Sequence, residues 1–446
     1  MLTDHPVPHN RWDLLAGVPV PSAQVSVVVC HYEQPAQLAR TLTALGRQTL
    51  RPHEIVVADD GSRTPPRPGL VPGVPVRVVA QPDRGFRAAA ARNLGARHCT
   101  GEVLVFLDAD TVPEPGFLAC LTRTVARCAD VLAVGRRRHA DLGAHPAGAD
   151  PADAPRLPEP EWLTRGYRES RDLLDADGRS FRFVISALLA VRRSLFDDLG
   201  GFDERFVGYG GEDWDLAYRA WHAGAVFVHE RDAVGWHDGP DWAGRPEDRA
   251  RKDLEAGRLA ALVPEPGTRG TAPPGHLPDV LVDLAPGLGA RPTTAIVRSL
   301  HAQTHRDLRV LLPAGPHDPG DHSGHSNPGD PDGGLLQRAG WTPDQQRRAR
   351  ARLLVHHPLP PDALAAMMRA ATDHDLAAVE AVGPDGAPLA TLRTTRALGR
   401  GRRRGAGLDE TFGRATVRVS PSDRAGTPGA WSSRPRPRDV PPRDHP

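Results

Sequence analysis

Short apolar runs alternate with polar or amphipathic stretches through the first part of the chain. Val25 to Cys30, Glu54 to Ala58, Val76 to Ala80 and Glu102 to Leu107 read as buried strands. Between the first two, Ala36 to Arg47 places Leu38, Leu42 and Leu45 on one helical face. Between the last two, Gly85 opens an alanine-rich helix that runs to about Ala96. Strands alternating with helices predict an α/β fold built on a mostly parallel, doubly wound sheet. In such sheets ligands gather beyond the carboxyl ends of the strands. Asp59-Asp60-Gly61-Ser62 closes the second strand and Asp108 closes the fourth, so the pattern predicts one polar crevice.

Residues 1–24 read as a polar lead-in. Residues 141–160, rich in Pro, Ala, Asp and Gly, read as a flexible insertion. Order returns from Phe181 to Trp236, with an apolar stretch from Phe183 to Val191 and a helix through Asp213 to Ala223. The expected layout is a catalytic domain over 25–262, a linker over 263–278, a second domain over 279–400 and a disordered tail over 401–446. A further disordered stretch is expected over 316–334.

The second domain repeats part of the first. Leu45-Gly-Arg-Gln48-Thr49 is echoed by Leu300-His-Ala-Gln303-Thr304, and Val280 to Leu312 parallels Val25 to Val57. Ala314-Gly315 stands where the first copy has Asp59-Asp60, and His356-His357-Pro358 stands near the place of Asp108-Ala109-Asp110. A degenerate second copy without catalytic acids is one reading. Generic α/β patterning in a biased composition is the other.

Composition narrows the function. Lys plus Arg total 56 against 55 for Asp plus Glu, which gives no field that would recruit nucleic acid. All the basic residues but Lys252 are Arg, so any single Arg is as readily a surface residue as a ligand. Cys30, Cys99, Cys120 and Cys128 lack metal-site spacing and suit reduced thiols. No apolar run is long enough for a membrane span, and no signal peptide is evident. The expectation is a cytoplasmic protein that reaches any membrane pathway peripherally, at the inner face.

Several acidic clusters could carry chemistry. Asp108 and Asp110, two apart at a strand end, point to one side, and two carboxylates there suit Mg²⁺ or Mn²⁺ with substrate phosphates. An ordinary turn is the plain alternative. A phosphatase-like nucleophile motif is disfavoured, because Lys252 is the only downstream lysine and no acidic Gly-Asp motif follows it. Asp60 could accept from a base imide or a ribose hydroxyl. Asp83-Arg84-Gly85-Phe86-Arg87, followed by Arg92 and Asn93, could meet a diphosphate at a helix start. In Gly208-Tyr209-Gly210-Gly211-Glu212-Asp213-Trp214, the acids fall in the first turn of a helix, which favours their anionic form. A carboxylate held there suits a general base for an acceptor hydroxyl. His237 after Val234-Gly235-Trp236 could be a third metal ligand.

Taken in order, Val27-Val-Val-Cys-His-Tyr-Glu33, Ala58-Asp-Asp-Gly-Ser62, Ala91-Arg-Asn-Leu-Gly95, Phe106-Leu-Asp-Ala-Asp110, Gly200-Gly-Phe-Asp-Glu204 and Gly211-Glu-Asp-Trp-Asp-Leu216 resemble the inverting family 2 glycosyltransferases of GT-A fold. Gly208-Tyr-Gly-Gly-Glu-Asp213 resembles the acceptor-side motif of β-1,4-galactosyltransferases. The resemblance implies a UDP-sugar donor and a role in polysaccharide biosynthesis. On the donor side it implies Tyr32, Glu33, Asp60, Arg84, Arg92, Asn93 and Asp108. The metal, Mn²⁺ or Mg²⁺, would fall to Asp108, Asp110 and His237. Tyr209, Gly210, Gly211 and Trp214 would meet the acceptor, Asp213 would be the base, and Glu212 would hold sugar hydroxyls. The acceptor stays open between glycan, lipid-linked and small-molecule classes, as does the oligomeric state. The family's membrane-spanning tails are absent, which argues against a processive synthase. Two rival readings are a non-catalytic sugar-nucleotide or glycan binder of the same fold, and a nucleotide-sugar pyrophosphorylase. The second needs a Gly-rich basic loop that His31 to Pro35 does not supply.

Overall fold

The computed structural model describes residues 2–143, 145–146, 148–240, 249–270, 276–312, 335–405 and 411–419. The chain divides into two compact units, Met1–Val263 and Pro264–Pro446.

The first unit runs β1 (Val25–His31), α1 (Pro35–Leu45), β2 (Glu54–Asp59), β3 (Val76–Ala80), α2 (Ala88–His98), β4 (Val103–Asp108), β5 (Thr111–Pro113), α3 (Phe117–Arg127) and β6 (Val131–Ala140). It continues with β7 (Arg156–Leu157), α4 (Glu161–Glu169), β8 (Leu188–Arg192), α5 (Arg193–Leu199), α6 (Glu212–His222), β9 (Val226–Asp238) and α7 (Arg249–Leu262). These strands form one sheet in the order β3-β2-β1-β4-β8-β6-β9-β5, with β7 added on β6. Strands β1 to β4 are parallel, β8 runs antiparallel between β4 and β6, and β6 pairs parallel with β9. This is the mostly parallel α/β sheet expected of the GT-A fold. Val27 to Val29, Ile55 to Ala58 and Val103 to Leu107 are shut off from water, as strands covered on both faces must be.

The lead-in is not loose. A 3-10 turn at Trp12–Leu15 buries Leu15, and the buried Asn10 amide bonds Leu173 O, Phe227 O and the Phe227 N–H. The stretch over 141–160 also takes structure where it is described. Its β7 pairs with β6, and Leu142, Pro151 and Ala154 are buried, because apolar residues spaced among the prolines pack on Val112 and Trp236. All four cysteines are free; burial pushes the Cys30 and Cys99 thiols up to about 12, which leaves them unreactive.

The second unit runs α8 (Pro266–Arg269), β10 (Val280–Leu284), α9 (Ala290–His301), β11 (Leu308–Leu311), β12 (Leu336–Gln337), α10 (Pro343–Arg348), β13 (Ala351–Val355), α11 (Ala363–Asp373), β14 (Ala378–Val382), β15 (Pro388–Thr394), α12 (Thr395–Arg404) and β16 (Arg414–Arg418). Its sheet has the order β12-β11-β10-β13-β15-β14-β16, with β15 antiparallel to both neighbours and β16 parallel to β14. A helical turn, α8, therefore occupies part of the expected linker. Order also continues past residue 400: α12 reaches Arg404 and β16 completes the sheet edge, burying Phe412, Ala415 and Val419. The expected disordered segment over 316–334 and the tail from 420 lie outside the described residues.

Strand by strand, the second sheet has the order and directions of the first, without counterparts to β5 and β7 among the described residues. One polar latch recurs as well. Buried Gln48 donates to Glu114 O at 2.8 Å and accepts from Leu118 N–H at 2.9 Å, while Thr49 N–H reaches Pro115 O at 2.8 Å. Buried Gln303 donates to Pro360 O at 2.8 Å and accepts from Leu364 N–H at 3.0 Å, while Thr304 N–H reaches Pro361 O at 2.8 Å. Two features differ. A short turn links β14 to β15 where the first unit has residues 141–187, and no helix matches α6 among the described residues.

Candidate active site

Sheet register builds the site. Asp108 ends β4 beside Cys30 of β1, and the chain turns at once into β5, which pairs antiparallel with the end of β9 so that Thr111 faces His237. The Asp238 N–H donates to Asp110 O at 2.9 Å. In this way residues far apart in sequence meet at one strand end. The His237 Nε2 lies 3.5 Å from Asp110 Oδ2, and Gln34 donates to the same oxygen at 3.2 Å. His237 Nδ1 lies 3.0 Å from Gly239 O. A carbonyl only accepts, so Nδ1 carries a hydrogen and Nε2 is the ring nitrogen that faces Asp110. Burial works against the Asp110 charge, yet His237, Arg137 and Gln34 together hold its carboxyl down at about 2.

Asp108 turns the other way. Its Oδ1 accepts from Arg92 Nη2 at 2.9 Å, while Arg92 Nη1 donates to Glu212 Oε1 at 2.9 Å. Arg92 is nearly buried on α2, so one guanidinium ties the β4 acid to the α6 acid. Among the described residues no three His, Cys, Asp or Glu side chains converge as a metal cage. The expected trio of Asp108, Asp110 and His237 is thus brought together only as the Asp110–His237 pair.

Helix α6 starts where Gly211 takes φ +89°, a conformation that side chains other than glycine resist; a Cβ there would also stand 2.8 Å from Phe206. A Cβ on Gly210 would stand 2.5 Å from Glu255 of α7, so both glycines are needed for the shape of the loop. Glu212 is buried and Asp213 half-buried. Burial first, then the Glu212 charge, pushes the Asp213 carboxyl up to about 7, with Arg92 and the Trp214 and Ser186 N–H groups pulling against them. The Tyr209 ring, still 38% exposed, stacks obliquely on Phe86 at 5.6 Å. Its phenol is raised by burial and by the charges of Asp108, Glu212 and Asp213, and lowered by Arg137.

The other expected donor-side residues divide. Asp60 is buried, accepting from the Arg87 N–H at 2.6 Å and from Gln81 at 2.5 Å; burial raises its carboxyl against these two donors. Glu33 sits at φ +52° and accepts from the Arg63 N–H at 2.8 Å, while Tyr32 is exposed with its hydroxyl 3.4 Å from Asp83. Arg84 is exposed. Asn93 faces away from the crevice acids: its amide bonds both Phe202 N–H and Phe202 O at 2.9 Å, and it reaches Glu204 at 3.0 Å. It holds the Gly200-Gly-Phe-Asp-Glu204 loop in place.

Sequence reasoning missed several neighbours. Gln34 and Arg137 act on Asp110, and His31 locks Asp59 at 2.8 Å. His139 lies with its ring 4.9 Å from that of His237 and shares the Gly239 carbonyl. Trp162 and Tyr167 come from α4. The polar run Arg136-Arg137-Arg138-His139 that ends β6, carrying His139 to the level of His237, was the one available signal.

The acids at two strand ends, a helix-borne acid pair and the sheet order define an α/β enzyme-type crevice. Residues 26–200 match the family described as Glycosyl transferase family 2, and residues 179–231 match the N-terminal domain of galactosyltransferase. Within the first unit, residues 26–200 are thus similar to glycosyl transferase family 2. The chain is 28% identical over 265 residues to the hyaluronan synthase of Pasteurella multocida, covering 53% of this chain and 26% of that protein. It is 31% identical over 229 residues to validoxylamine A glucosyltransferase of Streptomyces hygroscopicus subsp. limoneus, covering 47% of this chain and 51% of that one. Among solved structures, GalNAc-T7 with UDP, GalNAc and Mn²⁺ is 19% identical, with TM-score 0.38 and coverage of 53% of this chain and 51% of that chain. The chain spans about a quarter of the first relative's length and about half of the second's. No helix among the described residues is long and apolar enough to cross a membrane.

Proposed function

We propose that the first unit transfers a sugar from a nucleotide donor, a UDP-sugar, to an acceptor hydroxyl with inversion. The observation that carries this reading is the Arg92 bridge, which joins a strand-end carboxylate of donor-side type, Asp108, to the acid pair that opens α6. Asp213, raised to about 7, suits a general base at neutral pH. Asp213 takes the acceptor hydroxyl's proton as that oxygen bonds the anomeric carbon. The bond from that carbon to the donor's phosphate oxygen breaks, and its electron pair leaves with the nucleoside diphosphate. Glu212, bonded to Arg92, holds sugar hydroxyls, and Asp60 accepts from the donor's base.

Asp110 and His237 fit a divalent cation. They offer one hard oxygen and one imidazole nitrogen 3.5 Å apart, a donor set that suits Mn²⁺ or Mg²⁺ alongside diphosphate oxygens and water. A cation held there would neutralise charge on the departing diphosphate. Arg137, whose Nε is buried without a hydrogen-bond partner and whose charge acts on Asp110, adds a protein cation on the same side.

We also infer that the second unit is a repeat of the first without transfer chemistry. The matching strand order and the recurring glutamine latch support it, and the second unit has no counterpart of α6 among the described residues.

The test is hydrolysis of a panel of UDP-sugars by the full chain, with Mn²⁺ and with chelator. Hydrolysis of at least one donor, lost with chelator and reduced at least a hundredfold in D110N, is expected. A protein that neither hydrolyses nor binds any nucleotide sugar refutes the assignment.

A further inference from the structure

Large aromatic side chains seldom stay open to water without a use, and several of the exposed ones here gather round the acid pair of α6. Trp162, on α4, is 39% exposed. Its ring lies nearly parallel to Phe183 at 6.5 Å and edge-on to Trp214 at 6.4 Å, next in sequence to Asp213. Tyr167, one helical turn on, feels the Asp213 charge and is fixed by a 2.6 Å hydrogen bond to Phe183 O. Phe86 and Tyr209, 44% and 38% exposed, are in contact with each other at 5.6 Å, and the charges of Glu212 and Asp213 act on Tyr209 as well.

The position of Trp162 is built into the fold. Helix α4 can approach Phe183 only because residue 166 is glycine: a Cβ there would stand 2.2 Å from the Phe183 ring. Leu163 and Tyr167 bury the same helix face, while Trp162 is left at the rim.

We propose that Trp162, backed by Trp214, is the acceptor platform, and that the acceptor is a saturated, hydroxyl-bearing ring, a carbohydrate or cyclitol. Such a ring has the two features this place answers. Its axial C–H face packs on an indole, whose negative face attracts the polarised hydrogens. Its equatorial hydroxyls reach outward to Asp213 and Glu212. A lipid chain would match the aromatics and leave the acids unmet. A peptide hydroxyl would match the acids and leave the indole open. The inference rests on the glycosyltransferase reading of the same crevice.

The experiment uses the full chain saturated with UDP and Mn²⁺. Saturation-transfer NMR is run with methyl β-D-glucopyranoside and myo-inositol as ring probes and sorbitol as the open-chain control. Expected are transfer to the ring C–H protons in the unaltered protein, little transfer to sorbitol, loss of transfer in W162A and its recovery in W162F. With whichever ring compound accelerates donor turnover, W162A raises the half-saturating acceptor concentration about tenfold, W162F restores most of it, and kcat changes far less. A fully folded W162A that binds the rings as the unaltered protein does, or sorbitol binding as well as the rings, overturns the proposal. A merely displaced α4 would lower the melting temperature of W162F and W162A together, without the recovery. Failure of the unaltered protein to bind or hydrolyse any UDP-sugar is a separate result. It strikes the glycosyltransferase reading, not the platform.

Discussion

Replacing Arg92 by Met tests how the two halves of the crevice are held. The substitution keeps the length and much of the volume of the side chain but removes the charge and both 2.9 Å hydrogen bonds, leaving Asp108 and Glu212 facing each other. Removing one partner of a buried ion pair costs about 3–5 kcal/mol, because the remaining charge is stranded. The Asp108 side chain is 29% exposed and recovers some solvation, whereas that of Glu212 is 10% exposed and does not, so a loss near the lower end, about 3 kcal/mol, follows. For a unit of this size each kcal/mol moves the midpoint by about 2–4 °C, so the expected fall is about 6–12 °C. Differential scanning calorimetry of the full chain at pH 8 measures it, and the transition of the second unit serves as an internal standard. R92K, which keeps the charge without the fork, should fall between the two. If R92M melts within about 1 °C of the unaltered protein at pH 8, Arg92 is not the bridge argued here.

Two further outcomes follow from the same geometry. Asp213 works as a base only when ionised, so kcat/KM with a turned-over UDP-sugar should rise with pH through about 7. In E212Q the like charge that helps burial raise Asp213 is gone, so the midpoint of that limb should fall even though the maximal rate drops; an unmoved midpoint would sink the coupling. In the second unit, Q303L leaves the Pro360 carbonyl and Leu364 N–H without their partner. Stranding such groups costs about 1–3 kcal/mol each, so the second transition should fall in calorimetry while the first stays put. A shift of the first transition instead would contradict the division into two units.

Much of the first unit was legible because its chemistry is local. Apolar runs such as Val25 to Cys30 and Val103 to Leu107 have no other stable use than buried parallel strands, and the acids that stop them must then fall at the sheet's edge. The likeness of the two halves was legible for the same reason: Gln48 and Gln303 sit at matching places relative to their helices. The packing of the lead-in and of the stretch over 141–160 was not legible, because Pro, Gly and short polar residues look alike whether a segment is free or packed. Burial of Leu15, Leu142 and Ala154 depends on what lies opposite. The same holds past residue 400, where an Arg-rich helix is held by Phe412, with Arg396 and Arg400 over its ring at 5.4 and 5.3 Å.

By itself, then, the sequence determined which side chains could do chemistry, and at which strand and helix ends they would stand, since periodicity and motif spacing are properties of neighbouring residues. Which of them meet was decided only in three dimensions. The antiparallel pairing of β5 with β9 set His237 against Asp110, Arg92 drew Asp108 away toward Glu212, Asn93 was spent on the Phe202 loop, and α4 brought Trp162 beside Trp214. Contacts between residues so far apart depend on strand register and on helix docking, and no local pattern of apolar and polar residues encodes either.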